Sequence, residues 1–176
     1  YRPGKIVNLS GEELTELGQQ VARRSAMPAP DESDPMLAEC LALIAGHRVH
    51  ELRQAMVQAQ LRLGLRSFVT DLVAPLTTLV GDGWAAGRLA VFEEHLFAEA
   101  LQGVMHAAIA TASQHIDRDL ATPRILLTTV PMERHGLGLL MAEALFALEG
   151  ASCVSLGVQT PLAEIVTAAK AHRADV

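Results

Sequence analysis

Ile125-Leu-Leu-Thr-Thr-Val130, bounded by Pro123 and Pro131, runs directly into Glu133-Arg134-His135-Gly136-Leu137-Gly138. A continuous apolar run of this length between prolines reads as a buried parallel strand. The segments beyond it repeat the alternation. Gly138 to Leu148 predicts a helix ended by Gly150, and Ser152-Cys-Val-Ser-Leu156 a second strand. Leu162 to His172 predicts a second helix, and Ala174-Asp-Val176 the start of a third strand. That order, β-α-β-α-β over residues 122–176, is the doubly wound α/β pattern. Two strands and a stub fall short of a typical sheet of about five or six strands. The α/β domain is therefore expected to be truncated, with the sequence stopping inside it.

In such sheets ligands sit on the βα turns at the carboxyl ends of the strands, and the first such turn carries E-x-H-x-x-G. An exposed imidazole there can ligate a metal. Glu133 can accept a hydrogen bond from one ring nitrogen of His135 and leave the other lone pair free. Gly138, three residues on, lets a bulky ligand approach the backbone. Read alone, a loop histidine with glycines that shape the turn fits these residues as well.

Upstream the period is helical throughout residues 35–117. Met36, Leu37, Cys40, Leu41 and Ile44 form one stripe ended near Gly46. His47 to Leu63 carries Val49, Leu52, Met56, Val57 and Leu61, ended by Gly64. Phe68, Val69, Leu72, Val73, Leu76, Leu79 and Val80 make the third stripe, with Pro75 as an expected kink. Val91 to Ile116 is the longest helix, with Phe92, Leu96, Ala100, Val104 and Ile109 inward. Four helices on short connections predict a four-helix bundle. Before it, Ser25 to Asp34 holds two prolines and three acids and reads as a linker. The capping box Ser10-Gly-Glu-Glu13 predicts a short helix over residues 11–24.

The bundle has its own motif: Trp84, nine residues, then Glu94-His95. Gly81-Asp-Gly-Trp-Ala-Ala-Gly87 reads as a glycine-rich break, where the single tryptophan can cover a planar ligand or plug the bundle end. Glu94 and His95 diverge by about 100° around the helix axis, so only one is expected to face a ligand's centre. His106 shares the face of His95 but lies three turns on, too far for a shared metal. His47, His50, His115 and His172 fall near helix ends, where a ring meets water or the helix dipole.

Composition narrows the classes. Hydrophobic residues make up 50% but aromatics 3%, which suits helices and βα units better than an all-β fold. The net charge of −6 argues against this segment itself gripping a phosphate backbone. Cys40 and Cys153 read as small buried hydrophobes. No signal peptide and no uninterrupted apolar run of about 18 residues is seen, and a cytoplasmic protein without membrane attachment is expected. P-loop, H-E-x-x-H and serine-elbow patterns are missing, and no enzymatic activity is expected.

Taken in order, the two motifs resemble the cobalamin-binding module of MerR-type photoreceptor transcriptional regulators, the CarH/LitR family. The similarity covers residues 35–176. It implies a four-helix bundle cap over a Rossmann-like cobalamin-binding domain. It implies cobalt ligation by His135 below and shielding by Trp84 above, with Val91 packing near the upper face. Glu94, Met132, Glu133, Arg134, Leu137 and Gly138 would be further cofactor contacts. His95 would be the candidate upper ligand once light breaks the Co–C bond of adenosylcobalamin. The family's dark form is a DNA-bound tetramer, which light dissolves. Arg2 to Leu14 looks like the end of a MerR winged-helix domain, so residues 1–34 are read as its tail plus the linker. DNA contact would come from an upstream domain. The wider fold's S-x-L segment and Gly-Gly pair would fall beyond Val176. The acid is Glu133, where corrinoid methyltransferase proteins usually have Asp; this favours the regulator branch over the alternative, a corrinoid carrier of a methyltransferase system. A cofactor-free helical interaction domain is the third reading.

Overall fold

The computed structural model describes residues 34–114 and 122–176. The helix expected over 11–24, most of the linker, His115 and the last residues of the long helix lie outside these. The described part is mostly helical, with a small parallel sheet of two strands.

Helix α1 spans Pro35–Ala45. The Asp34 carboxylate accepts the N–H groups of Met36 at 2.8 Å and Leu37 at 3.3 Å, and Pro35 fills the first turn, where no N–H is needed. Helix α2 spans Val49–Ser67. Its backbone breaks at Gly64, with φ 75° and ψ 160°, a conformation closed to most other residues. The sequence puts a helix end there and a separate helix from Phe68. Instead the chain stays helical after the break, through a π-helical stretch, Phe68–Val73, into α3, Ala74–Ala85. The wide turn lies just ahead of Pro75: Ala74 donates to Val69 O, a five-residue step. Proline has no N–H to give and crowds the preceding turn, so the helix accommodates it by widening. Helix α4, Val91–Ser113, is the longest.

These helices bury one cluster that includes Leu37, Cys40, Leu52, Met56, Leu101 and Met105. All seven residues of the stripe from Phe68 to Val80 are buried in it. Two expectations need correction. Val57 and Leu61 of α2 are exposed, and so is Phe92, whose ring packs instead on His47 with centroids 5.0 Å apart. Phe97 is the buried aromatic of α4. The stretch Val49–Ala85 is long and apolar enough to cross a membrane by length and composition, at mean hydropathy 1.3. It is broken at Gly64, and Leu52, Met56, Phe68, Leu72 and Leu76 lie in the core, as in a central core helix.

Strand β1, Arg124–Thr128, pairs in parallel with β2, Ser152–Gly157, from Arg124↔Ser152 to Thr128↔Gly157, with an irregularity at Leu127/Thr128. Helix α5, Leu137–Leu148, joins them, and α6, Leu162–His172, comes after β2. On the other edge of β1, Leu126 N–H donates to Val176 O at 3.0 Å and Asp175 N–H to Arg124 O at 2.8 Å. Residues 174–176 are thus bonded opposite β2, without forming a full strand.

Helix α5 is apolar on nearly every face, Glu143 apart, because it packs on two sides. Leu140 and Ala144 join the bundle core, with Leu137, Met141 and Leu145 beside them. Leu139 and Ala142 face Ile125, Leu127 and Ala151 of the sheet layer. One helix therefore serves two cores. Cys40 and Cys153 are free thiols, and burial pushes Cys40 up to about 11.

Candidate cofactor cleft

A cleft of about 890 Å³ lies between α3 and α4 on one side and the β1–α5 turn with the end of β2 on the other. That is near the upper end of ordinary ligand pockets. Trp84, Val91, Glu94 and His95 line the helical wall, and Arg134, His135, Leu137 and Gly138 the opposite one. Met132 and Glu133 lie outside the lining. Met132 is 90% exposed with φ 78°.

The α3–α4 corner sets the helical wall. Trp84 sits in the last turn of α3, not in a break between helices. Gly83 makes that corner tight: a Cβ there would meet Leu89 Cδ1 at 3.0 Å. Trp84 is 52% exposed. The start of α4 is clamped by Glu93, whose carboxylate accepts the Ala90 N–H at 2.7 Å and bonds His47 Nε2 at 2.9 Å. These contacts, the backbone one first, hold the Glu93 carboxyl below the usual carboxylate range. Despite their angular separation, Glu94 and His95 both reach the cleft, with His95 Nε2 3.5 Å from Glu94 Oε2.

The opposite wall is built around His135. Glu133 Oε1 accepts the His135 backbone N–H at 2.8 Å and bonds its Nδ1 at 2.6 Å. With the proton assigned to Nδ1 by this network, Nε2 keeps a free lone pair on a side chain 94% exposed. The same two bonds, backbone first, hold the Glu133 carboxyl below its usual range. Thr129 Oγ1 donates to Glu133 O at 2.7 Å and accepts the Gln159 N–H at 2.8 Å, tying both βα turns together. A Cβ on Gly136 would meet Val158 at 3.1 Å, whereas one on Gly138 would meet nothing within 4 Å. Gly136 is needed for packing; Gly138 leaves open space for a ligand.

Among the described residues no three His, Cys, Asp or Glu side chains cluster to hold a bare ion. Single imidazoles on opposite walls suit a metal already held in a planar chelate, which asks the protein for axial donors alone. The residues present fit a corrinoid.

The sequence reading missed Gln102 and His106 of α4 and Ser155, Gly157 and Val158 at the end of β2, all of which line the cleft. The signal for His106 was its shared face with His95. Their separation of about 16 Å along the axis excludes a common metal but not a common large ligand. Next to this wall stands Glu143 of α5, whose carboxyl burial pushes up while the His106 charge partly offsets the shift. A raised carboxylate binds its proton more tightly folded than unfolded. Its stabilising contribution is present below the unfolded value and lost as pH rises through the folded one. Glu143→Gln is therefore expected to raise Tm at neutral pH. The gain should shrink to nothing as pH falls below the ordinary carboxylate range, as thermal melts across pH will show.

Walls of this kind suit a large, planar, metal-centred ligand. Residues 36–109, from α1 into α4, match the family of the B12 binding domain. The match includes Trp84, Glu94 and His95 and supports a cobalamin-binding module. No curated protein matches the chain.

Proposed function

We propose that this chain is the cobalamin-binding sensor portion of a transcriptional regulator that holds adenosylcobalamin and responds to light. The observation that carries the reading is the meeting of two distant motifs, Trp84 with Glu94-His95 and Glu133-x-His135-x-x-Gly138, across a cleft whose helical wall matches the B12 binding domain. In this reading His135 Nε2 would hold the cobalt, and Glu133 would fix its tautomer. Trp84 and Val91 cover the upper face. Glu94, Arg134 and Leu137 contact the ring, Met132 its outer margin, and Gly138 gives the ligand room at the backbone. The bonding of residues 174–176 to the far edge of β1 favours a doubly wound, Rossmann-like domain.

Bound adenosylcobalamin supplies a light-labile cobalt–carbon bond. His95 would be the residue to hold the cobalt once that bond is broken, and a shift of α4 would bring it there. Because α5 packs against the bundle and the sheet alike, such a shift would move two layers as bodies and repack an oligomer interface. The regulator is proposed to be a cytoplasmic, non-enzymatic homo-oligomer, a tetramer in the dark, contacting DNA through an upstream domain.

Dark reconstitution of the full-length protein with adenosylcobalamin should give a spectrum that green light changes irreversibly. Cobalamin bound without any spectral change would overturn the light response. His95→Ala is expected to spare dark binding and weaken cofactor retention after illumination. Equal loss in both states would overturn the role given to His95.

A further inference from the structure

Helix α4 presents a longer polar line to the cleft than the two motifs use. Val91, His95, Ala98, Gln102 and His106 recur at steps of three or four and all line it. The rise from first to last is about 22 Å, and the axial and capping roles occupy only the first turns. Gln102 is half-buried and His106 exposed, and both face the cleft. Among the described residues neither side chain has a hydrogen-bond partner, although nearby hydroxyls such as Thr111 are satisfied within the helix. Solvent reaches the polar atoms of both side chains, which are free to exchange water for the polar groups of a bound ligand.

We propose that Gln102 and His106 form a subsite for the amide-bearing rim of the corrin, selecting an amidated macrocycle over one carrying carboxylates. The inference rests on the cobalamin reading above. Most of the amide side chains on the corrin rim of cobalamin are primary amides, each a donor and an acceptor. A glutamine side chain pairs with such a group reciprocally, through one N–H···O bond in each direction. Neutral imidazole adds one donor and one acceptor. A carboxylate accepts only, so it leaves the Gln102 carbonyl unmatched. Ala98, one turn before Gln102, leaves space for the ring between the axial positions and this rim.

The test is equilibrium dialysis of the full chain in the dark. The probes are adenosylcobalamin and its monocarboxylate, made by hydrolysing one peripheral propionamide. Wild-type protein is expected to prefer the intact cofactor by about five- to tenfold, the worth of one neutral hydrogen bond. Gln102→Leu and His106→Leu are each expected to weaken binding of adenosylcobalamin by about five- to tenfold. Gln102→Leu should also abolish the preference. In both variants the visible spectrum of the bound cofactor, which reports the His135 ligand, should stay that of wild type. Gln102→Glu, which keeps the size and polarity of the side chain, should bind the monocarboxylate worse than wild type does; it serves where the leucine variant fails to fold. Wild-type affinity in both leucine variants, or tighter monocarboxylate binding by Gln102→Glu, would overturn the subsite while leaving the cobalamin reading intact. Failure of the wild-type chain to bind either probe would overturn both.

Discussion

His135→Ala is expected to lower the affinity for adenosylcobalamin by about 100-fold or more, since loss of a mere orienting partner of a metal ligand already costs about 10–100-fold. The bound fraction should also lose the spectral signature of imidazole below cobalt. The geometry of the turn is the reason. Glu133 Oε1 holds both the backbone N–H and Nδ1 of His135, so the ring is fixed in direction and its free nitrogen is Nε2. Thr129 holds Glu133 in turn through its carbonyl. Glu133→Gln keeps an acceptor but loses the charge, and its loss of affinity should fall within the about 10–100-fold range of such partners. The depressed ionisation of Glu133 adds a pH test. Its carboxylate persists below the usual carboxylate range, so the hydrogen-bonded pair should survive there and fail only as pH falls through the lowered value. Dark titrations of wild type, His135→Ala and Glu133→Gln, read by absorbance, check all three. Undiminished binding and an unchanged spectrum in His135→Ala would remove the axial role.

What the sequence revealed, and what it hid, divides along physical lines. The strand at 125–128 and the helix after Gly136 were legible because periodicity and prolines mark them directly. Gly64 was legible as a break, since its left-handed φ is a local property. The helical continuation past it was not, because that depends on burying Phe68, Val69, Leu72 and Val73 against the other helices. The π-helical turn before Pro75 and the helical setting of Trp84 are likewise tertiary outcomes, the second hinging on the contact of Gly83 with Leu89. Trp84, Glu94, His95 and His135, whose chemistry is legible in the sequence, all line the cleft. His106 lies too far from His95 to share one metal, yet the cleft runs along several turns of α4 and takes in both; Gln102 carries no local signal of its own. Ser155, Gly157 and Val158 had no local signal; the parallel pairing of β1 with β2 brings them beside the His135 turn.

Phe97→Ala is expected to cost about 3–5 kcal/mol of stability, the range for removing a fully buried aromatic. Phe97 is 1% exposed, belongs to the main core and also lines the cleft, so it forms the floor between them. At about 2–4 °C per kcal/mol for a chain of this size, Tm should fall by on the order of 10 °C. The site should suffer as well. Loss of the ring opens the core beneath Glu94, His95 and Ala98, and water entering from the cleft would loosen the face of α4 on which the cofactor is proposed to rest. Phe97→Leu keeps most of the volume and should cost less than about 1.5 kcal/mol. It should also retain cofactor binding. Phe92, on the same helix, supplies the internal contrast. It is 52% exposed against His47, so Phe92→Ala should cost far less. Chemical denaturation of the three variants measures the differences. If Phe97→Ala and Phe92→Ala proved equally mild, Phe97 would not be the shared floor of core and cleft.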